Sequence, residues 1–158
     1  MPEPQRGLSP QLAVAFTTIG FFALVVAAFG MLSLLTDADV LAVPGLGQVP
    51  GAVAVGAATL TFAVVTWVVV RRPQPTYGGA AIVLVATFLA YLGGLLLGGM
   101  GAGVDPARAA AAVGGFATSW FAVVLASAAF ISAWIAVALV RTRATRPRWP
   151  WERDDDEI

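Results

Sequence analysis

Long apolar runs dominate the chain, and short polar or glycine- and proline-rich segments separate them. The first run extends from Gln11 to Leu35 without a charged residue. At about 1.5 Å per residue, a helix of this length reaches roughly 37 Å, which exceeds the ~30 Å hydrocarbon core of a bilayer. The pattern therefore predicts a first membrane-spanning helix over residues 11–35.

Two further runs in the middle of the chain predict a second and a third span. The second run covers residues 51–70 and stops at Arg71 and Arg72, whereas the third covers 79–98 and stops in a glycine-rich string. Both runs have about the length that a crossing helix needs. The segment 36–50 before the second run is rich in glycine, proline and aspartate, which predicts a loop.

The fourth run covers residues 107–140 and follows Asp105 and Pro106. Aspartate is favoured as a helix N-cap and proline as the first helical residue, so these two residues predict a helix start. A straight helix of this length reaches roughly 51 Å, which is longer than a hydrocarbon core. We therefore expect either a strong tilt or a bend at Gly114 and Gly115.

The composition supports these four spans. Hydrophobic residues make up 59% of the 158 residues and charged residues only 11%, against roughly 25% charged residues in an ordinary soluble domain. A soluble globule of this size leaves much of its surface to water and cannot hide so many apolar side chains. The sequence predicts an all-α integral membrane four-helix bundle within residues 1–140, followed by a polar tail over 141–158.

Missing residue types exclude several chemistries. The chain contains no histidine and no cysteine, and all nine of its cationic side chains are arginines. Without these residues it lacks thiolate nucleophiles, iron–sulfur ligands, the usual haem and zinc ligands, and the lysine of Schiff-base chemistry. We therefore expect a protein that is not an enzyme and that has no cofactor and no resident metal.

Charged groups are also missing from the predicted spans. By this interpretation no Asp, Glu or Arg lies inside a span, because Arg108 is counted with the outer loop. Ionisable residues within the membrane mark proton relays and coupled transport. Their absence argues against a proton-coupled drug exporter, although such exporters also have four spans.

The distribution of arginines predicts the orientation. Arginines near span ends are retained on the cytoplasmic side. One side of the predicted topology has only Arg108, and the other has eight arginines: Arg6, Arg71, Arg72, Arg141, Arg143, Arg146, Arg148 and Arg153. We therefore predict a multi-pass protein of the plasma membrane with both termini in the cytoplasm, where Trp67, Tyr77 and Trp134 would lie at the inner interface.

Small residues recur on one face of the predicted helices. Membrane helices associate where small residues let two backbones approach closely, and Gly94 with Gly98 forms a GxxxG pair. In a chain this rich in alanine, such a face also arises by chance. For Tyr91 we expect a hydroxyl bonded to a neighbouring helix rather than a catalytic phenol. The predicted packing residues are Gly56, Thr59, Ala63, Thr87, Tyr91, Gly94, Gly98, Gly114, Thr118, Ala122 and Ser132.

The tail changes from basic to acidic within 18 residues. Its basic half is predicted to bind anionic lipid head groups, with tryptophan rings at the interface. The acidic half, from Glu152 to Glu157, either docks on a partner or is a solvated end behind a topological stop signal. The predicted head-group residues are Arg141, Arg143, Arg146, Arg148, Trp149 and Trp151.

Two weaker patterns carry little chemistry. Asp37, Asp39 and Asp105 fall on the predicted outer side and could gather a hard cation, but capping and solvated turns explain each of them singly. The glycines of residues 99–103 have GxG spacing, yet no strand precedes them. They therefore predict a flexible turn and no nucleotide site.

One stretch resembles a known group of proteins. FGMLSLLTDADVLAVPG, from Phe29 to Gly45, is similar to members of uncharacterised actinobacterial four-span membrane families. Because those families have no assigned activity, the resemblance implies none.

We predict an accessory or scaffold membrane protein whose partners are the bilayer and another membrane protein or a second copy, and no nucleic acid. The alternative is a passive oligomeric pore or small-solute permease with a path lined by Thr and Ser.

Overall fold

A computed structural model describes residues 9–40, 48–72 and 75–141 of the chain. The described residues form α-helices joined by turns, which confirms the predicted all-α class. All helices except the short fourth one are long and apolar enough to cross a membrane. The helices are α1 (Pro10–Thr36), α2 (Val49–Val70), α3 (Gly78–Gly101), α4 (Pro106–Ala117) and α5 (Trp120–Arg141).

Neighbouring long helices run in opposite directions, so the bundle has two distinct ends. We call the end that contains Pro10, Val70, Gly78 and Arg141 the tail end. The opposite end, which contains Thr36, Val49 and Gly101, is the loop end.

Short-range capping fixes two of the helix ends. The Asp105 carboxylate accepts a hydrogen bond of 2.9 Å from the Ala107 amide, which caps α4 as the sequence predicts. At the loop end of α1, Asp37 adopts a left-handed conformation with φ of 49°. Ser33 Oγ donates a hydrogen bond of 2.8 Å to the Ala38 carbonyl, which ties the following turn to α1.

Helices α2 and α3 form the most extensive contact in the bundle. A Cβ atom placed on Gly94 would lie 2.9 Å from Ala54 Cα and 2.9 Å from Ala57 Cβ. A Cβ on Gly98 would lie 2.9 Å from Val53 Cβ. Real Cβ atoms do not approach so closely, so the two glycines of the GxxxG pair allow the two backbones to meet.

The fourth apolar run is divided into two helices. We expected one tilted or bent helix over 107–140, but α4 ends at Ala117 and α5 begins at Trp120. The interruption falls at Thr118 and Ser119, after the glycine pair where a bend was expected.

Two hydroxyl groups bond to backbone carbonyls at this break. Thr118 Oγ1 donates to the Gly114 carbonyl at 3.1 Å, and Ser119 Oγ donates to the Phe116 carbonyl at 2.7 Å. Side-chain bonds of this kind offer the backbone carbonyls an alternative to the helical pattern. The Ser119 amide donates to the Phe116 carbonyl at 2.9 Å, and this three-residue spacing forms a tighter turn than the α-helical pattern.

The break lies inside the bundle and not at its end. The ring of Phe121, in the first turn of α5, lies 5.4 Å from the ring of Phe29. Phe29 comes seven residues before Thr36, so it lies about 10 Å below the loop end of α1. Helix α4 returns along α3, because a Cβ on Gly99 would lie 3.2 Å from Ala109 Cβ. The loop-end half of the bundle therefore contains a helix break, and a cavity lies beside it.

Candidate functional site

An aromatic cluster joins four helices in the loop-end half of the bundle. The rings of Tyr91 and Phe116 stack at 4.3 Å, and Phe29 meets Tyr91 edge-on at 6.2 Å. Phe121 completes the cluster through its edge contact with Phe29 at 5.4 Å. All four side chains are buried. The cluster is the wall between the two cavities described next.

The first cavity lies between the loop-end halves of α1 and α2, and we call it the α1–α2 cavity. Its volume is about 410 Å³ and it is open on one side. Tyr91 of α3 borders it, and the remaining lining residues come from α1, α2 and the turn after α1. These are Phe29, Ser33, Asp39, Val40, Gln48, Gly51, Ala52 and Val55.

The second cavity lies between the loop end of α1, α4 and the start of α5, and we call it the α1–α4 cavity. It has a volume of about 280 Å³ and mostly apolar walls. Leu32 and Phe116 form part of these walls, and the helix break contributes Ser119, Trp120 and Phe121. Because irregular backbone at membrane depth needs a protein or cavity environment, the position of the break beside this cavity is physically consistent.

Asp39 and Val40 border both cavities. The Asp39 side chain is exposed, and it forms no ion pair with any residue in 9–40, 48–72 or 75–141. It is the charged residue of both linings. The carboxylate is therefore available to a cationic group that enters either cavity.

Tyr91 is the most deeply buried polar residue of the α1–α2 cavity, with 1% of its surface exposed. We expected its hydroxyl to bond to a neighbouring helix, but it has no hydrogen-bond partner among the described residues. Three other hydroxyls, of Thr18, Thr66 and Thr87, are fully enclosed and also unpaired. Unlike those threonines, Tyr91 borders a cavity large enough for a ligand.

The predicted packing residues divide into three groups. Gly56, Gly114 and Thr118 face outwards, and a Cβ on either glycine would meet no atom within 4 Å. Thr59 and Ala63 are half-buried. The buried residues, which pack inside the bundle, are Thr87, Tyr91, Gly94, Gly98, Ala122 and Ser132.

Most of the predicted head-group residues lie outside the described part of the chain. Of the six, the structure places only Arg141, whose guanidinium lies 5.0 Å from the centre of the Tyr77 ring. Tyr77 in turn stacks on Trp134 at 4.5 Å, and Arg71 lies 5.0 Å from the Trp67 ring. The remaining five, Arg143, Arg146, Arg148, Trp149 and Trp151, are in the undescribed tail.

The three aspartates considered as a cation site do not come together. Within the described ranges, no group of three carboxylate, histidine or cysteine side chains could hold a metal ion. Asp105 is engaged as the cap of α4, while Asp37 ends α1.

A family model matches residues 5–158, which is nearly the whole chain, and its description is a family of unknown function, DUF6121. The chain belongs to the DUF6121 family. Comparisons with curated proteins and with solved structures found no match.

Sequence reasoning missed the cavity residues of this DUF6121 member. Phe29 is one apolar residue among many in the first span, and Gln48 and Asp39 belong to a segment predicted as an ordinary loop. Tyr91 gave a signal, because a phenol in an otherwise apolar span needs a partner, and Asp39 was considered only as part of a cation site with Asp37 and Asp105. At the loop end α1 and α2 stand apart, and these residues line the space between them. No local sequence pattern predicts this space.

Proposed function

We propose that this member of the family is a non-enzymatic accessory or scaffold protein of the plasma membrane that associates laterally with another membrane protein or with a second copy. The observation that carries this proposal is the outward face of α2. Gly56 is exposed, and a Cβ at this position would meet no atom within 4 Å. No described residue is a close partner for this position, which leaves it open to a second helix.

The continuation of this face supports the same conclusion. Thr59 and Ala63 follow Gly56 on α2 and are only half-buried, while Leu60 and Val64 stand out beside them with 70% and 61% exposed. Small residues flanked by larger ones form a shallow groove on a membrane helix, where a second helix gains van der Waals contact. Lipid chains have no fixed shape and therefore make poorer van der Waals contact with such a groove than a helix does.

The lateral-association proposal predicts that Gly56→Leu weakens co-purification of a membrane partner or a second copy in mild detergent. A Cβ at this position meets no atom within 4 Å and the residue is exposed, so the thermal unfolding temperature should not fall. Gly20→Leu on α1, which is equally open, is the matched control and should keep the partner. Loss of the partner in the Gly20 variant alone would place the contact on α1 and contradict this assignment.

The rival function, an oligomeric pore, is tested by solute flux into liposomes that contain the purified protein. The scaffold proposal expects flux at the level of empty liposomes. Robust and saturable flux would contradict it and favour a path lined by threonine and serine hydroxyls.

We also propose that the tail end faces the cytoplasm and that the protein comes from an actinobacterial plasma membrane. The arginine distribution supports the orientation, and the arginine-only, alanine- and valine-rich composition is typical of a high-GC genome. The chain has no cysteine, so single-cysteine variants are clean probes. A cysteine at Thr76 should be protected from a membrane-impermeant maleimide in intact cells, whereas one at Ala102 should be labelled; the reverse result would invert the topology.

A further inference from the structure

We propose that the α1–α2 cavity binds the head group of a phospholipid that carries a primary ammonium group, of the phosphatidylethanolamine type. Three independent features of the cavity match three parts of such a lipid. They are the carboxylate of Asp39, the uncapped start of α2 at Gln48, and the unpaired hydroxyl of Tyr91. This binding is separate from the lateral association proposed for Gly56.

The Asp39 carboxylate matches the ammonium group. It lies at the rim of the cavity, it is exposed, and no described residue forms an ion pair with it. A primary ammonium offers three N–H donors to carboxylate oxygens, and charge-assisted bonds of this kind are strong. A choline head group has no N–H donor, and a glycerol head group leaves the phosphate charge facing the carboxylate. The rim therefore favours ethanolamine over both.

The start of α2 matches the phosphate. Gln48 is the N-cap residue of this helix, but its side chain makes no capping hydrogen bond. The first amide groups of a helix and its macrodipole together attract a phosphate. In α2 these amides are those of Val49 and Gly51, because Pro50 has no N–H. Gln48, Gly51 and Ala52 all line the cavity, so a phosphate there lies beside the ammonium site at Asp39.

Tyr91 matches the ester oxygens of the lipid. Its exposed fraction is 1%, it borders the cavity, and its hydroxyl makes no hydrogen bond with any residue in 9–40, 48–72 or 75–141. A buried hydroxyl without a hydrogen bond is costly, so a ligand oxygen at the cavity floor is favourable. Unlike a bare helix N-terminus, this group lies deep in the cavity and points to a ligand that extends inwards.

The shape of the cavity fits a head group followed by an acyl chain. Along α2 the lining runs from Gln48 to Val55, which is about 10 Å along the helix axis. The polar residues Asp39 and Gln48 are at the loop end, and Phe29 and Val55 supply apolar walls towards the interior of the bundle. The lining changes from polar at the rim to apolar inside, as a phospholipid changes from its polar head group to its apolar acyl chains.

The test uses native mass spectrometry of the full chain in mild detergent, titrated with three lipids that share the same acyl chains and carry ethanolamine, choline or glycerol head groups. We expect the ethanolamine lipid to bind about tenfold more tightly than the other two, as one charge-assisted bond predicts. Asp39→Asn should abolish this preference. Asp37→Asn removes a charge two residues away that lines neither cavity, and it should keep the preference.

Tyr91→Phe gives a second, separable readout. Because all three lipids contain ester oxygens, we expect this variant to bind each of them more weakly by a similar factor and to keep the ethanolamine preference.

Equal affinities of the wild-type chain for the three lipids would overturn the proposal, and so would an equal ethanolamine preference in the Asp39→Asn and Asp37→Asn variants. Unchanged affinities in Tyr91→Phe would contradict a lipid that reaches the cavity floor.

Discussion

Replacing Gly94 with alanine is expected to destabilise the bundle by about 1 to 3 kcal/mol, the usual cost of overpacking a close contact. The added Cβ would lie 2.9 Å from the Cα atom of Ala54 and 3.1 Å from the Val53 carbonyl oxygen. These are backbone atoms, so no rotamer change relieves the contact and α2 must move away from α3. The effect is large because this helix pair has the most extensive contact in the fold.

Gly93→Ala is the matched control for this substitution. It lies next to Gly94 on the same helix, and a Cβ there would meet no atom within 4 Å. Alanine favours a helix over glycine by up to about 1 kcal/mol, so stability should stay the same or rise. Thermal unfolding of both variants in the same detergent measures the difference. Equal stability of the two variants would contradict the close approach of α2 and α3 at Gly94.

The second large effect is expected for Phe29→Ala. This ring contacts Tyr91, Phe116 and Phe121 on three different helices. Buried Phe→Ala changes in water-soluble proteins cost about 3 to 5 kcal/mol, part of which is transfer out of water. Because the reference state here remains in lipid, we expect a smaller loss of about 2 to 3 kcal/mol, from lost packing alone.

Phe22→Ala is the control for Phe29→Ala, because it removes a phenylalanine ring from α1 without removing a buried contact. Phe22 lies on the same helix, two turns before Phe29, but 47% of its surface is exposed. Its removal should change the unfolding temperature little. Proteolysis at the loop end provides a second measurement, since loosening α1 there should expose the turn after Thr36 in Phe29→Ala only. A comparable loss of stability in both variants would show that the aromatic cluster does not hold the bundle together.

The close contact at Gly94 could be predicted in part from the sequence. Gly94 and Gly98 form a recognisable pair, because the spacing of four residues alone places two small residues on one helix face. The sequence could not distinguish this pair from Gly56, which sits among similarly small residues on α2 but faces outwards. Which small face packs inside the chain depends on how the helices are rotated relative to one another, and the abundance of alanine makes several rotations look alike.

The sequence by itself determined the all-α class. Apolar runs of about 20 residues must form helices in a bilayer, because every backbone polar group needs a partner inside its own segment there. The bounds predicted for the first three runs lie within about three residues of α1, α2 and α3, whereas the fourth run, predicted as one span over 107–140, contains the long helix α5 only from Trp120. Local chemistry also determined the start of α4, where Asp105 acts as cap.

The tertiary structure alone decided the interior of the loop-end half. The break at Thr118 and Ser119 lies just after the glycine pair where a bend was expected. The hydroxyl bonds found there also occur inside unbroken helices, at Thr17 and Thr59, so they do not mark a break in the sequence. The α1–α2 cavity brings together Asp39, Gln48 and Tyr91, which are far apart in sequence. Such a site depends on how far α1 stands from α2. That separation is set by the sum of many weak packing contacts along both helices, so no single residue pattern encodes it.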